Sequence, residues 1–417
     1  MQGSRIGYKW LVVATLWFIC FLNYADRSAI FSLFPLLKTS LHLSDLELGI
    51  VGSSFMWMYA LFGPVAGWLG DRWSRRWLIM GGLLLWIVLV FATSLAHSYM
   101  QLAVLRGLSG LGEAFYFPAA MSLISSWHGP ETRSRAMSIH QSAVYLGSIG
   151  GGSLAGIMGQ HLGWRSSFLF FGGLGVAVAV GVAFVFFSED GAYAGGALPE
   201  PVVAAGDTGL LRTAGMLLGD ARVVRLIVVF IGANFVAMAF MTWLPTLLHT
   251  KFHMTVGMAG VTGTLYLQLA SVLGVITGGM LADKLVHRHA GGRMLTQALG
   301  MVAGVGFLFL TGRAASVSLL IAAMIGFGYC KGVYDSNIFA SLYDVVPTQL
   351  RASAAGLMNS LGWLGGGFAP IAVALGSARY GMSASLSATS LIYLMLSMLL
   401  FYNARTVRTR SAQAPAA

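Results

Sequence analysis

Apolar residues run along the chain in twelve long stretches separated by short polar breaks. They cover roughly 10–37, 45–69, 76–96, 99–127, 134–160, 165–187, 222–249, 255–282, 294–312, 315–345, 352–378 and 383–403. As helices rising about 1.5 Å per residue, these stretches match a hydrocarbon layer about 30 Å thick. One break is longer than the rest. Residues 188–221 include Glu189, Asp190, Gly195, Gly196, Pro199 and Pro201, which is linker composition. The pattern predicts an all-α membrane protein with twelve transmembrane helices. Its expected parts are an N-terminal six-helix half (1–188), a linker (189–221) and a C-terminal six-helix half (222–417).

Composition supports the bilayer as solvent. Only 9% of the residues are charged, against about 25% in soluble chains. The net charge of +11 does not point to nucleic acid, because the basic residues are spread between apolar runs. With both termini placed in the cytoplasm, seventeen lysines and arginines fall inside, five outside and three within spans. That asymmetry is the expected one for an inner, plasma-membrane protein. The first apolar run is too long for a signal peptide core and lacks an A-x-A-like site. Cys20 and Cys330 lie inside apolar runs and are read as buried thiols. The histidines show no metal spacing, no Walker A stretch is present, and no soluble catalytic constellation is visible. No enzyme activity, cofactor or metal is expected, so transport would draw on an ion gradient or on the substrate itself.

The chain repeats itself. Gly67-Trp-Leu-Gly-Asp71-Arg72, followed by Arg75 and Arg76, is echoed by Gly279-Met-Leu-Ala-Asp283-Lys284. Pro130-Glu-Thr-Arg133-Ser-Arg135 is echoed by Pro347-Thr-Gln-Leu-Arg351. The offsets, 212 and 216 residues, agree closely. Equal spacing of glycine, acid and base in both halves marks Asp71, Arg72, Arg76, Arg135, Asp283 and Arg351 as candidate gate residues at the cytoplasmic face. The bland alternative is an ordinary pair of basic loops.

A few charges lie inside the spans. Asp26 and Arg27 sit about 24 Å from Trp10 along a helix, well within the hydrocarbon. Ionisable residues at that depth are costly unless they face a cavity or a partner, which makes them functional candidates. Arg106 and Glu113 are seven residues apart, so they share one helix face about 10.5 Å apart. The intervening Gly107, Gly110 and Gly112 permit close packing on a neighbour. Asp26 and Glu113 fall at similar depth, where with Arg27 and Arg106 they can line a central cavity. The structural alternative is an Arg–acid pair that holds the N-terminal half together. Lys331 and Asp335, four apart, can pair on one helix; Lys331 is either self-neutralised or a second cation. Gly147, Gly151, Ala155 and Gly159 form a small-residue packing stripe. The role of His140 is left open.

The Gly67–Arg76 stretch, its echo at Gly279–Asp283 and the six-plus-six layout resemble the major facilitator superfamily. That resemblance implies cytoplasmic gate elements and two pseudo-symmetric halves that rock to give alternating access. Asn23-Tyr-Ala-Asp-Arg27, Arg106–Glu113 with Pro118, and Trp243-Leu-Pro245 resemble its anion:cation symporter branch, which includes proton-coupled carriers of sugar acids. The resemblance implies proton-handling roles for Asp26 and Glu113, basic positions near the anion at Arg27 and Arg106, and substrate contacts at or near Tyr24, Tyr59, Gln141, Ser336 and Asn359. The expected partners are a small organic anion, protons and the lipid bilayer, with the protein acting as a monomer. Arg106–Ala114 also resembles the Spinster-like branch, which implies an amphiphilic lipid substrate as the alternative.

Overall fold

The computed structural model describes residues 2–70, 73–187, 210–289, 291–347 and 350–411. In chain order these form α1 (Gln2–Ser32), α2 (Phe34–Ser40), α3 (Asp45–Gly70), α4 (Arg75–Ser94), α5 (Tyr99–Ala114), α6 (Tyr116–Trp127), α7 (Pro130–Leu162) and α8 (Trp164–Phe187). There follow α9 (Leu210–Leu218), α10 (Ala221–Phe252), α11 (Val256–Val286), α12 (Gly292–Arg313), α13 (Val317–Asp335), α14 (Ile338–Val345), α15 (Arg351–Gly366), α16 (Ala369–Tyr380) and α17 (Met382–Ser411). α9 lies inside the segment read from sequence as linker.

Ten helical stretches among the described residues are long and apolar enough to cross a membrane. The other two expected spans are also helical, with features that dilute or interrupt them. The stretch 99–127 is divided between α5 and α6 at Phe115. The 33-residue α7 mixes its apolar positions with Arg133, Arg135, His140 and Gln141. The first expected span breaks at Leu33, where Pro35 opens α2. Proline tolerates a helix start because its missing N–H would be unpaired there.

The described chain divides into two compact units. The first comprises Met1–Asp207 with Met254–Val261, and the second Thr208–His253 with Thr262–Ala417. The same local devices recur in both. Ser98 Oγ caps α5 by accepting from Gln101 N–H, and Ser316 Oγ caps α13 by accepting from Leu319 N–H. Gly163 (φ 81°) separates α7 from α8, as Gly381 (φ 83°) separates α16 from α17. His42 and His253 both adopt φ 54° where a helix has ended. A left-handed residue terminates a helix by turning its last N–H groups back on the final carbonyls. The α5–α6 break at Phe115 likewise has a counterpart at Ser336–Asn337, between α13 and α14.

Close helix contacts position the functional residues. A Cβ at Gly110 would stand 2.3 Å from Phe55 O, which sets how near α5 lies to α3. A Cβ at Gly151 would stand 2.1 Å from Ala25 O, so α7 meets α1 backbone to backbone beside Asp26. Small residues permit such approach where lipid supplies no hydrophobic drive between helices. The stripe from Gly147 to Gly159 is therefore a packing seam. In the second unit, Gly332 holds α13 against α11: a Cβ there would meet Ser271 O at 2.1 Å.

Candidate functional site

The charges on α1 and α5 meet inside the first unit. Arg27 Nε donates to Glu113 Oε2 at 2.7 Å, and Arg106 Nη1 donates to Asp26 Oδ2 at 2.6 Å. The pairing is crossed: each arginine binds the acid of the other helix. Arg106 and Glu113 share a face, as their spacing requires, but stand too far apart along it to neutralise one another. Charge-assisted bonds of this kind are short and strong. Trp86 of α4 adds a weaker N–H donation to Asp26 Oδ2 at 3.4 Å.

Aromatic rings surround the guanidinium groups. Arg27 lies over Tyr24 at 4.7 Å, Phe55 at 4.8 Å and Tyr59 at 4.6 Å from their centroids. Arg106 lies 5.2 Å over Phe55 as well. The negative ring face attracts a cation most strongly where water is absent. Asp26, Arg27, Arg106 and Glu113 are all buried. Asp26 Oδ1, Glu113 Oε1 and Arg106 Nε have no hydrogen-bond partner among the described residues. Each acid thus has one committed oxygen and one open oxygen. Buried polar atoms of this kind call for water, an ion, a proton or a catalytic role.

Phe55 and Trp86 belong to this cluster, and the sequence reading did not single them out. Both stand in apolar runs, Ser-Phe-Met-Trp and Leu-Trp-Ile-Val, without a charged neighbour to mark them. Periodicity could have placed them on inward faces, though it could not have assigned them to an arginine.

Of the other expected substrate residues, Gln141 belongs to the first unit, and Lys331, Ser336 and Asn359 to the second. Gln141 is exposed on α7. Lys331 donates to Asp335 within α13, and both remain partly accessible. Ser336 follows the end of α13 and donates to Val333 O at 2.9 Å. Asn337 donates to Gly278 O at 3.2 Å and to Ser336 Oγ at 2.7 Å, which pins the helix break to α11. Asn359 is half-buried on α15.

Of the expected gate residues, Asp71 and Arg72 lie outside the described residues. Arg76 donates to Phe186 O at 3.0 Å. Arg135 is exposed, 5.6 Å over the Trp10 ring. Arg351 is exposed, donates to Tyr343 O at 3.0 Å and lies 5.7 Å over that ring. Asp283 is exposed on α11, and the described contacts do not join it to Arg351.

His140 has a defined place. Tyr116 Oη is 2.5 Å from Leu16 O and 2.7 Å from His140 Nε2. A carbonyl only accepts, so the single phenolic proton goes to Leu16 and His140 Nε2–H donates to Tyr116. The histidine therefore ties α7 through α6 to α1, at the residue that follows the Phe115 break.

Crossed ion pairs buried among membrane-length helices mark this cluster as the candidate functional site. Residues 16–370 match the Major Facilitator Superfamily, and the chain belongs to that family. It is 24% identical over 375 residues to the probable L-galactonate transporter of Escherichia coli (strain K12), spanning 85% of this chain and 80% of that protein. It is 29% identical over 376 residues to protein spinster homolog 1 of Homo sapiens, spanning 85% of this chain and 70% of that protein. Its fold matches a bacterial homolog to the human lysosomal transporter Spinster, solved in an inward-facing and unoccupied conformation. The TM-score is 0.82 at 19% identity, over 98% of this chain and 99% of that one.

Proposed function

We propose that the protein is a secondary active transporter that moves a small organic anion, a sugar acid, together with protons by alternating access. The observation that carries this reading is the crossed ion-pair cluster with one open oxygen on each acid. A substrate carboxylate that engages Arg27 or Arg106 competes directly with Glu113 or Asp26. The displaced acid loses its compensating charge and takes up a proton on its open oxygen. Proton and anion then cross with no stranded charge in a low-dielectric interior, where an unpaired ion is costly. Glu113 is the main proton carrier in this scheme and Asp26 its partner. Tyr24, Tyr59, Gln141, Lys331, Ser336 and Asn359 complete the substrate contacts. The relative named as a probable L-galactonate transporter supports the sugar-acid class.

The scheme includes twelve spans in two halves, with both termini on the cytoplasmic side of a plasma membrane and a monomer as the working unit. Asp71, Arg72, Arg76, Arg135, Asp283 and Arg351 form the cytoplasmic gate. Asp71→Asn should shift the population toward the inward-open state; unchanged cysteine accessibility on both faces would rule that role out.

The central test is uptake into proteoliposomes with a panel of sugar acids, with and without an imposed pH gradient. Wild-type protein should accumulate one class of acid only with the gradient. Glu113→Gln imitates the protonated acid; it should keep substrate binding and counterflow exchange and lose gradient-driven accumulation. Full accumulation by this variant at wild-type expression would transfer the proton role to Asp26. A second reading, export of an amphiphilic lipid, is favoured by the three rings around Arg27 and by the similarity to spinster homolog 1. Exchange of a lysophospholipid, with no sugar acid transported, would select it.

A further inference from the structure

Where α9 meets α10, the second unit contains a cavity of about 570 Å³ that the transport scheme does not use. Its lining includes Met216 at the end of α9, Asp220 in the turn, Arg222 and Arg225 in the first turns of α10, and Thr406 near the end of α17. Two guanidinium groups thus line one space.

Their charges are balanced unequally. Arg222 grips Asp220 through Nε at 3.1 Å and Nη2 at 2.6 Å. Arg225 has neutral partners: Nη1 donates to Asn403 Oδ1 at 3.0 Å and to Thr406 Oγ1 at 3.4 Å. Its guanidinium also lies 5.0 Å over the Tyr402 ring. Among the described residues no acid forms an ion pair with Arg225. Its Nε and Nη2 groups make no hydrogen bond to those residues. That edge of the fork is the one that phosphate oxygens take in pairs. A half-buried guanidinium beside a cavity, without a counter-charge, is an anion site.

The rim indicates where the anion comes from. α9 buries Thr213 and Leu217 and exposes Arg212. Met216 in the lining is 48% exposed; Leu218, beside the lining residue Gly219, is 48% exposed, and Tyr402, under the Arg225 guanidinium, is 58% exposed. Arg405, also exposed, adds a further positive charge nearby. Apolar and aromatic side chains beside a cationic cavity, at the end of a membrane-length helix, match the boundary between headgroups and acyl chains.

We propose that this cavity binds the phosphate headgroup of an anionic membrane lipid, with Arg225 as the anchoring cation and the acyl chains against Met216, Leu218 and Tyr402. The site lies within one unit, shares no residue with the crossed cluster, and stands whatever the transported substrate is.

The test uses the full-length protein in mixed phosphatidylglycerol–phosphatidylcholine nanodiscs, with retained lipid read by native mass spectrometry after detergent extraction. Wild type should retain phosphatidylglycerol preferentially. Arg225→Gln should weaken that preference about five-fold, the usual effect of one basic residue near an anionic surface. Ala221→Phe fills the cavity, leaves every charge in place and should weaken it too; it carries the test alone if Arg225→Gln does not fold. Arg379→Gln, in the last turn of α16 and outside the cavity lining, should leave the preference intact. Undiminished preference in both Arg225→Gln and Ala221→Phe would overturn the proposal. Thermal stabilisation by soluble glycerol phosphate that needs Arg225, with no lipid preference, would overturn the lipid assignment in favour of a soluble phosphate ester.

Discussion

α5 and α13 each carry a base followed by an acid, and the spacing decides what each pair becomes. On α13 the interval is four residues, one helical turn, so Lys331 and Asp335 neutralise each other on the same helix. On α5 the interval is seven residues, two turns, and Arg106 cannot reach Glu113. Both must find partners on α1, and the outcome is the crossed cluster. Exposure follows the same division. The side chains of Asp26 and Glu113 are 0% exposed, whereas that of Asp335 is 31% exposed. A self-contained pair makes a polar helix easier to insert. A pair completed by another helix links the charge state of one helix to the position of its neighbour, which proton-coupled transport requires.

The largest expected effect is that of Arg106→Ala. It leaves Asp26 buried and unpaired and should cost about 3–5 kcal/mol of stability, read as a large fall in unfolding temperature in detergent. It should also abolish substrate binding by calorimetry. Adding Asp26→Asn should recover most of the stability and none of the binding; recovery of binding would assign Arg106 to structure alone. Next is Gly110→Ala, whose added Cβ meets Phe55 O at 2.3 Å. Overpacking of this kind should cost about 1–3 kcal/mol, and proximity labelling between α1 and α5 should weaken with it. An unaltered melt would mean that α3 and α5 can separate freely. The smallest is Lys331→Met. With both partners partly solvated, the loss should stay below about 1 kcal/mol. Equal melting losses in Lys331→Met and Arg106→Ala would remove the distinction between the two helices.

Much of this was legible in the chain. Long apolar runs marked the helices, and the spacing of glycine, acid and base exposed the repeat. Buried charge alone singled out Asp26, Arg27, Arg106 and Glu113, because such residues have few reasons to lie deep in an apolar run. Other features depended on distances that sequence spacing does not encode. Crossed pairing is a tertiary outcome, set by how α1 and α5 lie against each other. Phe55 and Trp86 resemble every other apolar residue in their runs until the helices are packed. The break at Ser336–Asn337 has no proline to announce it; Asn337 fixes it by reaching Gly278 O on α11. α9 was hidden for a different reason: nine residues are too few for the length criterion that revealed the spans.

The contact between Gly151 and Ala25 has a mechanical consequence. The two backbones touch one residue before Asp26, with no side chain between them to bend or change rotamer. Any sliding or tilting of α7 is therefore delivered to the turn that holds Asp26 and Arg27. α5 is seated separately, through Gly110 against α3. The two sides of the ion-pair cluster are thus mounted on different supports. Relative motion of α7 and α3 by a fraction of an ångström would stretch or compress hydrogen bonds of 2.6–2.7 Å, so the cluster acts as a strain gauge for the spacing of α1 and α5.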